Sequence, residues 1–317
     1  MNCEDLQETC GDQPAEPANV KDKLTNKKVF HHKIKENTVM KKIAVFALAA
    51  VLALVSISAL ALTVAVPNDT TNEARALLLL QANGFIKLDE SKGILATVAD
   101  ITDNPLGLEF YEVEAAIVPN VKADADYAII NNNYALDAGL NPAKDSLLIE
   151  SADSPYVNVI SVKEGNENAS ATKALVAAVT SQKVVDYIAE KYADGSVVGV
   201  VENPTDGFDA DIDYAALAGT TISIAATPVP HAEVLEIAKS ILAEKNINLD
   251  IQIFTDYVTP NTALESGDIY ANYFAHIPYQ ENFNAENGTH IVNVAGIHVE
   301  PMALYGGKQA DLSPLGR

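Results

Sequence analysis

Residues 1–316 of this 317-residue chain contain a single arginine, Arg75, set against 43 acidic residues. Arginine presents a planar guanidinium that grips a carboxylate through two parallel hydrogen bonds. Arg75 falls soon after the β-branched run "TVAV", on a helical segment whose first N–H groups also favour anions. A carboxylate-bearing ligand suits that position; a surface ion pair is the plainer use of an arginine. The second group is aromatic. Tyr257, Tyr273, Phe274, His276 and Tyr279 crowd two nearby segments of a chain with only 12 Tyr and 8 Phe. Rings in a cleft can enclose an apolar or thioether side chain. Ordinary core packing is the alternative for each.

Other chemistries find less support. His231, His276, His290 and His298, with Asp256 and Glu300, contain metal-ligand types but no H-x-H or H-E-x-x-H spacing. There is no G-x-S-x-G, no P-loop and no G-x-G-x-x-G, and no cofactor is called for. The two cysteines, Cys3 and Cys10, sit in a polar leader, so the remainder carries no disulfide framework and no thiolate nucleophile. A formal charge of −22 argues against nucleic acid and against an anionic membrane surface as partners.

The elements that must position these residues begin late in the chain. Residues 1–39 are polar, with no apolar period, and read as disordered. Met40-Lys41-Lys42 then leads into an uncharged apolar run, Ile43 to Leu62, long enough to cross a bilayer. Lysines precede it and none follow closely, which puts the body outside. The same stretch has the layout of a secretory signal peptide, with Ala59 and Ala61 at an A-x-A site. Residues 40–62 are therefore a cleaved signal or an uncleaved anchor, and export follows from either. From Thr63 onward strand and helix patterns alternate. "TVAV", "YAII", "VNVISV", "TTISIAAT" and "LDIQIFT" read as strands. "NDTTNEARALLLLQANG" reads as a helix with capping residues and Gly84 as its stop, "SATKALVAAVTSQKVVDYIAEKY" as one long helix, and "PHAEVLEIAKSILAEKN" and "TALESGD" as shorter ones. A Gly-, Pro- and Asp-rich boundary lies near Asp209–Gly219. Alternation predicts a mostly parallel sheet covered by helices on both faces. Ligands in such folds sit beyond the C-terminal ends of strands. That places the functional weight on Asn68–Arg75, Asn131–Asn133, Thr227–His231, Thr255–Asn261 and Asn272–Tyr279.

Several long segments resemble one known family. "ISIAATPVPHAEVLEIAKSIL", "IQIFTDYVTPNTALESGDIYANYFAHIPYQENFNAENG", "HVEPMALYG", "VAVPNDTTNEARALLLLQANGFIKL", "DYAIINNNYALDAGL" and "SPYVNVISVKE" are similar to the methionine-binding lipoproteins, the substrate-binding components of bacterial methionine ABC importers. In that family the "TPVPHAE" half comes first and the "VAVPNDTTNEAR" half follows "ADLSPL". Here "ADLSPLGR" ends the sequence, so the resemblance implies a circularly permuted order, or a chain assembled from two pieces of such a gene. It implies an α/β, two-lobed periplasmic-binding-protein-like (type II) fold, preceded by a signal or transmembrane helix. One lobe is expected from 63–140 plus 300–317 and the other from 141–299.

Carried over by position, the resemblance implies ligand contacts from Tyr257, Phe274, His276 and Tyr279, and from Arg75, Asn131 and Asn158. Arg75 would hold the carboxylate, the asparagines would serve the polar head, and the aromatics with His276 would enclose the thioether. Arg75→Ala is expected to abolish binding without unfolding the protein. The implied partners are methionine or a close relative, the permease and ATPase subunits of an importer, and the membrane through residues 43–62 if that run is retained. The implied location is the outer face of the cell membrane, the periplasm or the exterior. The family's lipidated cysteine has no counterpart after the apolar run, which favours a secreted or helix-anchored form. The protein is expected not to be an enzyme. A metal-binding export protein and a rearranged, non-functional gene product are the alternatives.

Overall fold

β-Branched and small residues open the body. Val64, Ala65 and Val66 are buried along β1 (Thr63–Pro67), which is why an apolar run with no polar alternation forms a strand inside a sheet. The structure is a computed structural model that describes residues 61–151 and 154–317. The leader, most of the apolar run 43–62 and the cysteines lie outside the described residues. Among the described residues no helix is long and apolar enough to cross a membrane.

The remaining strands are β2 (Lys87–Leu88), β3 (Ile101–Asp103), β4 (Glu109–Val113), β5 (Tyr127–Ile130), β6 (Ser146–Ile149), β7 (Val157–Lys163), β8 (Val198–Gly199), β9 (Thr221–Ala226), β10 (Asn248–Ile253), β11 (Ala271–His276), β12 (Ile291–Val299) and β13 (Ala303–Gly306). Among the described residues they form a five-stranded sheet, β4-β1-β5-β13-β6, a six-stranded sheet, β10-β9-β11-β7-β12-β8, and a ribbon of β2 and β3. The principal helices are α1 (Thr70–Ala82), α2 (Asn132–Asp137), α3 (Ser170–Val179), α4 (Gln182–Lys191), α5 (Glu233–Ala243), α6 (Thr259–Ser266) and α7 (Ile277–Asn287). Each large sheet carries its own core. Leu77, Leu80, Tyr127 and Leu304 belong to the first, and Ile160, Leu175, Leu235 and Tyr273 to the second.

Three expectations need correction. The sheets are mixed rather than mostly parallel. β1 runs parallel to β4 and β5, and β9 parallel to β10 and β11, but β13 is antiparallel to β5 and β6, and β7 to β11 and β12. The reason is connectivity: the chain leaves the first sheet once after β6 and returns once between β12 and β13, and the first strand after each crossing, β7 or β13, runs against both its neighbours. Because β6 pairs with β13, the first crossing follows Ile149 instead of residue 140. The long helix expected from Ser170 is two. Thr180 returns its hydroxyl to the Val176 carbonyl, and Ser181 then caps α4 by accepting from the Val184 N–H. Gly84 does end α1, at φ 77°.

The sequence's last strand returns against the start of β5. There the Gly307 N–H donates to the Asp126 carbonyl and Lys308 N–H to that of Ala125. A Cβ at Gly307 would overlap the carbonyl oxygens of Lys122 and Ala125, which are backbone and cannot swing aside. Gly307→Ala is expected to destabilise by about 1–3 kcal/mol, the cost of overpacking. Thermal denaturation checks it, and an unchanged melting temperature would contradict the close approach.

Candidate functional site

Strands β1 and β5 of the first sheet and β9, β10 and β11 of the second all aim their C-terminal ends at one place. That convergence is the general reason α/β sheets bind ligands where they do. A cavity of about 20 Å³, room for about one water, lies there between the two halves. Its walls include all of Arg75, Asn131, Asn158, Tyr257, Phe274, His276 and Tyr279, together with Asn72 and Glu300. The residues singled out by sequence thus come from α1, the start of α2, β7, the loop after β10, β11 and α7, and meet in one volume. Tyr273 does not join them. It is fully buried on the other side of β11, in the second sheet's core.

Arg75 is held more firmly than a lone binding arginine. Its Nε donates to both carboxylate oxygens of Glu150 at 3.1 Å, and its Nη2 to Glu150 Oε2 at 2.5 Å and to the Glu300 carbonyl at 2.6 Å. The guanidinium carbon lies 4.2 Å from the centre of the Tyr156 ring, a cation–π contact. Glu150 sits at the first crossing between the sheets and Glu300 at the second. The Met302 N–H also donates to Glu150 Oε2. One guanidinium therefore ties both crossings together.

Four polar side chains form a relay beside it. Asp69 caps α1, and Asn72 donates its Nδ2 to both Asp69 oxygens. Asn72 Oδ1 in turn accepts from Asn131 Nδ2 at 2.7 Å and His276 Nε2 at 3.0 Å. His276 Nδ1 accepts the Tyr279 N–H at the start of α7, so the ring is a neutral Nε2–H tautomer. Burial, then the nearby Arg75 charge, hold its pKa well below the ordinary value. Asn131 stands at the N-cap of α2 without capping it, and its buried Oδ1 has no partner. Asn132 Oδ1 is likewise buried and unpaired. Buried polar atoms rarely stay unpaired, so both acceptors suit a donor brought by a ligand.

Asn158 is oriented from behind. His231 Nε2 contacts its Oδ1 at 3.0 Å, and His231 Nδ1 meets the Thr227 hydroxyl at 2.6 Å. Burial pulls His231 down to about 3, so its ring is neutral and its Nε2–H donates. The Asn158 Nδ2 is left as a donor on the cavity side. His298 lies between the Tyr273 hydroxyl and Glu300 Oε1, the latter at 2.7 Å. Burial alone would raise the Glu300 carboxyl; His231, His298 and Arg75 hold it below the usual carboxylate range. His231, His298 and Glu300 bring possible ligand atoms within 4.8 Å of one another. Each ring nitrogen already has a hydrogen-bonding neighbour in the protein, which describes a satisfied polar network rather than an open metal site. His290 and Asp256 lie elsewhere, and His276 faces Asn72.

The opposite wall is aromatic. Tyr257 stands 5.9 Å from Phe274 and 5.7 Å from Tyr279, and Phe274 6.1 Å from Tyr279, centre to centre. Tyr257 also donates to Asn133 Oδ1 at 2.6 Å, a bond between the two sheets' halves. Tyr134 to the Thr255 carbonyl and Asn132 to the Ser196 carbonyl add two more. The cleft is closed over the cavity. Sequence reasoning weighted Asn72 only as part of the run Asn68–Arg75 and missed Glu150. Asn72 lies one helical turn before Arg75 and so shares its face, a signal that was available. Glu150 carried none.

Two α/β halves joined by two crossings, with a closed polar and aromatic cavity between them, define a cleft-type binding protein. The chain belongs to the NlpA lipoprotein family, whose description matches residues 22–201 and 222–317. It is 44% identical over 138 residues to the D-methionine-binding lipoprotein MetQ of Escherichia coli (strain K12), across 43% of this chain and 51% of that protein. It is 43% identical over 134 residues to the membrane lipoprotein TpN32 of Treponema pallidum (strain Nichols), across 42% and 50%. Among solved structures, a nutrient binding protein from Burkholderia cenocepacia bound to methionine is 44% identical over 43% of this chain and 59% of its own, with a TM-score of 0.41. The chain spans about half the length of the curated relatives it matches. Membership of a lipoprotein family agrees with an exported, membrane-associated location and with a protein that is not an enzyme.

Proposed function

We propose that this protein is the extracytoplasmic substrate-binding component of an ABC importer and that it closes two lobes around methionine or a close relative. The observation that carries the reading is the lining of the cavity, where polar groups from both sheets face an aromatic wall. Arg75 and Asn158 offer donors to a carboxylate. Asn131 and Asn132 offer acceptors to an ammonium. Tyr257, Phe274 and Tyr279 enclose a flexible thioether, and His276 braces the polar relay. Closure is a hinge movement at the two crossings, stabilised because the ligand touches both halves. The relatives' names, which include methionine binding, support the same ligand. The permease and ATPase subunits of the importer are the partners, and residues 43–62, if retained, the link to the membrane.

The circularly permuted order belongs to this proposal. The two matched stretches are separated by 202–221, the segment where the family's usual entry point falls. Leu62 packs against the same core as Leu312 and Leu315, so both ends of the body belong to one core, and a permuted connection asks for no change in it. The lobes are then 61–149 with 303–317, and 157–299.

Calorimetric titration of the purified full chain with L- and D-methionine tests the function. Saturable binding and a raised melting temperature are expected, by roughly 2.7 kcal/mol of added stability at a hundredfold excess over Kd. A folded chain that binds neither enantiomer, and releases no amino acid on denaturation, would overturn the reading.

A further inference from the structure

We propose that Glu150 sets the charge of the ligand the cavity accepts, selecting a zwitterion over an anion. The inference rests on the cavity being the site of a carboxylate-bearing ligand. Glu150 does not merely lie near Arg75. It occupies the guanidinium's Nε and Nη2 edge through three contacts, leaving Nη1 without a partner among the described residues. Its own carboxylate is fixed by the Met302 N–H of the opposite crossing. The side chains are 4% and 16% exposed, so water screens the pair little.

Among the described residues, the charges around the cavity then total less than zero. Arg75 contributes one positive charge, and Glu150 cancels it. Glu300, on the cavity wall, contributes a negative charge held by the imidazole of His298. His276 accepts an N–H at Nδ1 and is neutral. A ligand with a carboxylate and no ammonium would bring a further negative charge into this closed space. A ligand with both can place its carboxylate on Arg75 Nη1 and Asn158 Nδ2, and its ammonium on the unpaired Asn131 and Asn132 oxygens near Glu300. An Arg75 lacking Glu150 would carry net charge and would hold a plain anion well. Glu150 is thus a specificity-determining residue that acts through Arg75.

The test compares methionine with its des-amino analogue, which keeps the thioether and carboxylate but has no ammonium. Kd values are measured for the wild type, Glu150→Gln and Glu150→Asp. The wild type is expected to prefer methionine strongly. Glu150→Gln should reduce that preference about tenfold, about 1.4 kcal/mol, and Glu150→Asp, which keeps the charge, should largely retain it. Equal weakening of both ligands by Glu150→Gln would mean that Glu150 only steadies Arg75, and would overturn the inference. A second measurement needs no variant. Methionine amide, which keeps the ammonium and lacks the carboxylate charge, should bind the wild type more tightly than the des-amino analogue; the reverse order overturns the inference. Wild-type protein that binds none of the three would bring down the cavity reading itself, and the inference with it.

Discussion

Arg75→Ala is expected to abolish methionine binding, raising Kd by at least about 100-fold, and also to weaken the fold. Position in the sequence alone suggested loss of binding without loss of structure. The geometry changes the second half of that expectation. The guanidinium makes four hydrogen bonds to Glu150 and Glu300, on the two separate crossings between the sheets. Removing one partner of a buried pair leaves the other charge without compensation and costs about 3–5 kcal/mol. The same substitution takes away the donor proposed for the ligand carboxylate, and a desolvated charged contact is worth about 2–5 kcal/mol in affinity. A double variant separates the two effects. Arg75→Met with Glu150→Leu removes both charges and should recover part of the lost stability with no recovery of binding. Chemical denaturation and titration on the same samples read both. Full stability in the single variant would show that the crossings do not depend on Arg75. Retained affinity would remove Arg75 from the site.

The second large effect is acid sensitivity. Burial pulls His231 down to about 3 and, with Arg75, holds His276 far below its ordinary value. In the unfolded chain both rings take up a proton near about pH 6.5. In the fold neither does so until much lower pH. The unfolded state therefore binds more protons from about pH 6.5 down to about pH 3, and stability falls as pH drops through that window. Each histidine contributes roughly 1.4 kcal/mol per pH unit there. Glu73 opposes them. Burial, with Glu112 and Asp69 nearby, raises its carboxyl to about 7 although the Val98 N–H donates to it. Its folded form thus holds the extra proton between about pH 4.5 and 7, and acidification relieves the strain. Glu112 stands exposed on the edge strand β4, so solvent screens its repulsion, while the Glu73 carboxyl itself is buried. Two buried histidines outweigh one buried carboxyl. A net loss on the order of 1–2 kcal/mol per pH unit is expected between about pH 6.5 and 4.5, and Glu73→Gln should steepen it. Urea titrations across that range decide the matter. Stability that rises on acidification would mean that the histidines are protonated in the fold.

Local pattern alone settled much of this protein. The apolar run of β1, the cap at Asp69 and stop at Gly84 of α1, and the aromatic crowding from Tyr257 to Tyr279 are each written within a few consecutive residues. Strand-end logic then named the right loops, because parallel strands expose their C-terminal ends to ligand wherever they occur. Arg75, the one arginine before the final residue, was visible by count. Tertiary structure decided the rest. Tyr273 and Phe274 are adjacent and equally aromatic, yet a strand turns successive side chains to opposite faces, and only sheet pairing fixed which one reached the cavity. The antiparallel strands follow from where the chain crosses between sheets, a property no single segment carries. Glu150 is 75 residues from Arg75 in sequence and looks like any other surface acid there. Its role comes from two crossings brought side by side by the pairing of β6 with β13. Hydrogen bonds between such distant residues depend on the whole fold being formed, and a linear pattern of residue types does not record them.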